Sequence, residues 1–213
     1  MGRSRRPWGH GALALVAASI ASCSTHSAPQ AHPSATPSPA AARHSVPMTR
    51  TTYKNWGFSL EHPVAWSTYG YGFSGSLFDV IGYLSTDKLT DPCTRTANSI
   101  SCGGPKDAPL LAHLSAGGVV VRIGNSGSPG TRSVGSFPGA QATVDGQPAR
   151  IDDPADLPEE CARMGGTREI VAAVARPGAG ANFLSLSACL AAPTESTEQA
   201  TLQLIRSLRF TPA

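Results

Sequence analysis

Apolar and polar positions alternate in short runs along most of this chain, and only near the C-terminus does the period change to that of a helix. Phe58-Ser59-Leu60-Glu61 alternates, a pattern that predicts a half-buried strand, with His62-Pro63 expected to stop it. Leu77 to Leu84 and Gly118 to Ile123 are β-rich runs bounded by glycine. Gln141 to Val144 and Gln147 to Ile151 flank Asp145-Gly146, a pair that favours the tight turn of a hairpin. Glu169 to Ala175 and Asn182 to Leu190 flank Pro177-Gly178-Ala179-Gly180 and predict a second hairpin. The Gly/Ser/Pro stretch from Asn125 to Gly139 reads as loop.

The helical segment is last. Thr194 suits an N-cap, Glu195 and Glu198 fall in the first turns, and Arg206 and Arg209 lie at the end, which complements the helix dipole. Ala200, Leu204, Ile205 and Leu208 recur at helical spacing, so one face should lie on a sheet. A shorter helix is expected from Pro158 to Met164, with Gly165-Gly166 ending it.

Ahead of these elements the pattern is of another kind. Arg3, Arg5 and Arg6 precede a small apolar run from Gly11 to Ile20. That run is too short to span a bilayer, which needs ~20 apolar residues, and it suits a secretory leader. Ile20-Ala21-Ser22-Cys23 follows and resembles the bacterial lipobox, in which the Cys thiol is acylated and becomes the new N-terminus. Residues 1–22 are therefore expected to be a lipoprotein signal peptide and Cys23 the lipid attachment site.

The leader changes the charge picture. The formal charge is +3, and the leader's charges are three arginines, so the remaining chain carries 14 basic and 14 acidic residues. Neutrality leaves no electrostatic case for nucleic acid or anionic lipid as a partner. From residue 23 to about 50 the composition is Ala, Pro, Ser, Thr and His, which cannot bury enough surface to fold and predicts a disordered, lipidated linker. His26, His32 and His44 lie in it as scattered, solvated side chains. The folded domain is expected over 51–213.

One stretch of that domain resembles a known family. Tyr53-Lys54-Asn55-Trp56-Gly57-Phe58-Ser59-Leu60-Glu61-His62-Pro63-Val64-Ala65-Trp66 is similar to the opening of PsbP-like proteins, where an aromatic leads into "GFS", a strand, then Pro and Trp. Ile205-Arg206-Ser207-Leu208-Arg209-Phe210 is similar to that family's last helix and strand. The resemblance implies an α+β fold, an antiparallel β-sheet with flanking helices in an α/β/α sandwich. It further implies a secreted lipoprotein of actinobacterial type, with a role in binding or assembly and no catalysis. On this reading Phe58 and Leu60 face the core and Trp66 plugs it.

Cys93, Cys102, Cys161 and Cys189 remain once Cys23 is set aside, an even number in an exported chain, which argues for two disulfides. Three pairings are open. Cys93–Cys102 brackets a short polar segment, and Cys161–Cys189 would then pin the short helix to a strand. A zinc site lacks both a close pair of cysteines and a histidine at ligand spacing.

Candidates for chemistry are few. Gly124-Asn125-Ser126-Gly127-Ser128 invites comparison with a serine nucleophile, and His62 or His113 would have to serve as base. A Gly/Ser surface turn explains that segment more simply. Asp152, Asp153 and Asp156 form an acidic cluster without the spacing of a calcium loop. Tyr69, Tyr71 and Phe73 alternate with glycines and either stack on a ligand or fold over the sheet edge. No cofactor and no metal is expected. These features together predict a membrane-anchored extracytoplasmic lipoprotein with a non-catalytic binding or scaffold domain, meeting an envelope protein or cell-wall partner. A secreted serine hydrolase and a small-ligand carrier are the alternatives.

Overall fold

A computed structural model describes residues 46–70, 78–91, 93–97, 100–102, 111–126, 133–178 and 182–211. The leader, Cys23 and most of the expected linker lie outside them. The chain divides into units Met1–Arg43 and His44–Ala213.

In chain order the elements are β1 (Met48–Tyr53), β2 (Phe58–Pro63), β3 (Ser67–Gly70), β4 (Phe78–Ser85), β5 (Cys93–Arg95), β6 (Ile100–Cys102), β7 (Val119–Ser126), β8 (Ala140–Val144), β9 (Gln147–Asp152), α1 (Glu159–Arg163), β10 (Arg168–Ala175), β11 (Phe183–Leu190), α2 (Glu195–Arg206) and β12 (Arg209–Phe210). All pairings are antiparallel. A seven-stranded sheet has the order β3-β4-β7-β11-β10-β9-β8, a three-stranded sheet the order β1-β2-β12, and β5 and β6 form a separate ribbon. With helices of five and twelve residues, the protein is mostly sheet, so the expected α+β arrangement with flanking helices holds only coarsely.

The central strands are apolar along one whole face, and on the other only at Val120, Cys189 and Phe183, with Arg122, Ser185 and Ser187 between. Val119, Val121, Ile123, Leu184, Leu186, Ala188 and Leu190 lie in one core with Phe58 and Leu60 of the small sheet and Leu204 and Ile205 of α2. Val120 and Cys189 point the other way, into a second cluster with Cys161 and Met164 at α1. Trp66 closes the first core at 9% exposure. The opening aromatics are therefore structural, as their alternation suggests.

Both hairpins are present, and Asp145 (φ 51°) and Gly146 (φ 73°) supply the paired positive angles of the first turn. Thr194 caps α2, its hydroxyl accepting from the Thr197 N–H at 3.3 Å.

Four expectations need correction. β2 does not stop at His62-Pro63: those residues pair with Thr49 and Met48, and at the last strand position a missing N–H does little harm. β1 begins at Met48, inside the segment expected as linker, and its threonine-rich sequence is a good strand former once β2 gives it a partner. Gly124, Asn125 and Ser126 are not a surface turn. They extend β7, paired with β4 on one side and β11 on the other, because two ladders outweigh local turn preference.

Leu208 and Arg209 lie past the end of α2. Ser207 ends the helix, its hydroxyl donating to the Leu204 carbonyl (2.7 Å) and accepting from the Glu61 N–H (2.7 Å), and the chain then adds β12 to β2.

Cys161 and Cys189 are joined by a disulfide that ties α1 to β11 across 28 residues. Closing a loop of that size contributes ~3.5 kcal/mol through the unfolded chain. Cys93 and Cys102 face each other in the β5–β6 register. Directly opposed positions lie ~4.5–5.5 Å apart, within reach of a disulfide. A non-reducing peptide map should return both linked pairs; a Cys102–Cys161 peptide would refute that pairing.

Gly166 lies directly on the bridge. A Cβ built there would come to 2.3 Å from Cys189 Sγ and 2.4 Å from Cys161 Sγ. Gly166→Ala should therefore destabilise the domain by ~2 kcal/mol or more, measured by urea unfolding under oxidising conditions. An unchanged midpoint would show that the bridge can shift freely.

Candidate functional site

The stretch from Tyr53 to Gly57 also borders two surface depressions. β1 runs into one turn of 3-10 helix, Lys54–Trp56, which Gly57 ends in the left-handed region (φ 68°). The turn buries the Trp56 indole and leaves Lys54 and Asn55 exposed. Gly57 is held on both sides, its N–H bonding Lys54 O (3.2 Å) and its carbonyl accepting from the Thr211 N–H (2.8 Å). Two depressions flank the turn. One, of about 430 Å³, lies between Tyr53, Asn55, Thr68 and Tyr69. The other, of about 760 Å³, lies between Lys54, Gly57, Asp145, Arg176, Pro177 and Phe210. Lys54 borders both.

Arg176 follows β10 at the mouth of the second hairpin, where its backbone N–H bonds Asn182 O at 3.1 Å. Its side chain is half-buried. Nη1 donates to Asn125 Oδ1 at 2.9 Å and Nη2 to the Trp56 carbonyl at 2.7 Å. Both acceptors are neutral, and desolvation holds the guanidinium below the usual arginine pKa. Asp145 also borders this groove, but its carboxylate is engaged by the Phe210 N–H (2.7 Å) and, at 3.7 Å, by Arg209 Nε.

Tyr53 stands between the smaller depression and the sheet. Its ring stacks on Phe58 (centroids 4.9 Å apart, 19° between planes) and lies close over Gly82, where a Cβ would come within 3.3 Å of Cε1. Its hydroxyl is buried with no hydrogen-bond partner among the described residues, and burial pushes the phenol well above its usual pKa.

The expected site residues are scattered. Tyr69 lies half-buried in β3, opposite Tyr83, with its hydroxyl donating to Asp91 Oδ1 at 2.8 Å. Tyr71 and Phe73 lie outside the described residues, so the fate of that aromatic stretch is seen only at its first member. His62 is 2% exposed: Nδ1–H donates to the Pro63 carbonyl (2.9 Å), so Nε2 accepts from Thr51 Oγ1 (2.8 Å). No lone pair remains to act as a base.

His113 rests on Gly165, next to the disulfide where Cys189 pairs with Val120. Ser126 is six residues further along β7, ~20 Å away at strand rise. Ser126 thus lacks an available base, with His62 engaged at both nitrogens and His113 remote.

Of the acidic cluster, Asp153 makes a two-oxygen pairing with Arg168, which also pairs with Glu198 of α2. Among the described residues no group of three His, Cys, Asp or Glu side chains could hold a metal ion, and no helix is long and apolar enough to cross a membrane. The cavity between α1 and the large sheet measures about 110 Å³, below the ~300 Å³ of an ordinary ligand pocket. Sequence reasoning missed Arg176 and Lys54. Nothing marks them locally, because they meet only when β1, β10 and β12 converge.

No protein-family model matches the chain, and no curated protein does. Among solved structures, the chain is similar to that of cyanobacterial PsbP (CyanoP) from Synechocystis sp. PCC 6803. The match spans 80% of this chain and 96% of that one, with 8% identity and a TM-score of 0.43.

Tyr53→Phe should raise stability by ~1 kcal/mol at pH 7, because it removes a buried hydroxyl with no hydrogen-bond partner among the described residues. The advantage should widen with alkali. The folded phenol stays protonated above the ordinary Tyr value of ~10 while the unfolded one ionises, so the native chain loses stability as pH rises through that value. Urea titrations at pH 7 and pH 11 test both; a less stable Tyr53→Phe at either pH contradicts the orphaned hydroxyl.

Proposed function

We propose that this chain is a lipid-anchored extracytoplasmic lipoprotein whose PsbP-like domain binds a ligand or envelope partner and carries out no catalysis. The observation behind the binding reading is the open groove beside the Lys54–Trp56 turn, bordered by two cations whose charge no carboxylate in the described residues neutralises. The anchoring rests on the leader and Ile20-Ala21-Ser22-Cys23. The PsbP-like assignment, with its α/β/α sandwich, is supported by the two end motifs and by α1 and α2 packing into cores on opposite faces of the large sheet. The non-catalytic reading is supported by the commitment of His62 and the distance of His113 from Ser126.

Cys23→Ala should leave the domain folded and move it from the membrane fraction to soluble or unprocessed material, since stable anchoring of this kind depends on the acyl chains. Persistent membrane association after leader cleavage would refute the lipoprotein assignment. A fluorophosphonate probe should leave Ser126 unlabelled, and labelling abolished by Ser126→Ala would establish the hydrolase instead.

A further inference from the structure

We propose that the groove between Lys54 and Arg176 is an oxyanion site, taking a phosphoryl or carboxylate group carried on a flat or apolar body. The inference deepens the binding reading above and rests on it.

A guanidinium half-removed from water is ordinarily balanced by a carboxylate or phosphate. Arg176 is instead oriented by two neutral acceptors, Asn125 Oδ1 and the Trp56 carbonyl, which occupy one hydrogen on each terminal nitrogen. Five N–H bonds radiate from a guanidinium, so donors remain after both contacts are made. Those contacts fix the plane of the fork while leaving its charge unspent. Lys54 borders the same groove from the exposed 3-10 turn, and it forms no ion pair among the described residues.

The acidic residue of the groove, Asp145, faces its own cation in Arg209 and caps the Phe210 N–H, so it does not cancel the other two. The groove therefore carries a net positive field on a domain with no general excess of cations. Pro177 and Phe210 supply an apolar border beside the charges. At about 760 Å³ the depression exceeds the needs of a bare anion and suits one attached to a ring or a short chain.

The test uses the full chain, with isothermal titration calorimetry as the readout, because it registers binding whether or not an indole is perturbed. Phenyl phosphate, benzoate, inorganic phosphate and vesicles containing phosphatidylglycerol are the probes, with benzyl alcohol as the uncharged control. Phenyl phosphate should bind saturably and more tightly than inorganic phosphate, and benzyl alcohol should not bind. Lys54→Gln, at an exposed position, should weaken binding about threefold or more. Arg176→Gln should weaken it about tenfold, the worth of a charge-assisted hydrogen bond. Arg176→Lys should recover only part of that loss, since it restores the charge without the fork.

Binding confined to the vesicles but lost in the same variants would support the oxyanion site with a lipid headgroup as its source. No response to any probe, or a response unchanged in Lys54→Gln and Arg176→Gln, would overturn the site. Release of phenol from phenyl phosphate would sink the non-catalytic reading and leave the site standing, so the two failures are distinguishable.

Discussion

The structure depends on one constraint: β7 and β11 are apolar along one whole face and, at Val120 and Cys189, on the other as well. Val119, Val120 and Val121 are buried in succession, and in β11 Cys189 points away from Leu186, Ala188 and Leu190. Left in water, either apolar surface would cost ~25 cal/mol for each Å². Two covers are therefore required. The first face receives the three-stranded sheet and α2. The second receives α1, a helix of five residues that is too short to hold itself in place. The Cys161–Cys189 bridge and the close approach of Gly166 make good what α1 lacks in length.

The small sheet is a consequence of the same demand. Its middle strand brings Phe58 and Leu60 down onto the large sheet, while β1 and β12 satisfy the backbone on either side. Ser207 joins the two parts of the first cover, because one hydroxyl ends α2 and accepts from β2 at Glu61. Leaving the helix there directs the chain into β12, and Thr211 then bonds the Gly57 carbonyl. That bond closes the floor of the groove. The groove is thus a by-product of how the first core is sealed, built from the margins of elements whose centres are committed to packing.

This division explains what was legible in the sequence. Runs such as Val119 to Ile123, and hairpins punctuated by Asp145-Gly146 and Pro177-Gly178, report their own structure because the pattern and the partner strand agree. Strand β1 was illegible because Met-Thr-Arg-Thr-Thr-Tyr has no apolar face of its own; its pairing with β2 decides its state. The same holds for Gly124 to Ser126, where turn-like residues are held extended by neighbours on both sides. The serine comparison failed for a related reason. Residue type suggested a nucleophile, yet the long β7 places Ser126 at the opposite end of the strand from His113, and the buried His62 is already bonded at both nitrogens.

The groove was the least legible feature, and the physics of Arg176 shows why. Its environment comes from Asn125 on β7, Trp56 on the 3-10 turn and Asn182 across the hairpin, positions separated by more than fifty residues in sequence. None of these partners is charged, so no pattern of alternating charge along the chain could have pointed to them. A residue holding a structural place needs only to satisfy its donors, and a glutamine or a lysine could meet much of that need. Keeping a full positive charge half out of water, oriented but not neutralised, costs stability without improving the packing. The lysine beside it repeats the sign, where two like charges sharing a groove repel each other until an anion enters. Charge left open in that way is the ground for the proposed site, and core packing does not account for it.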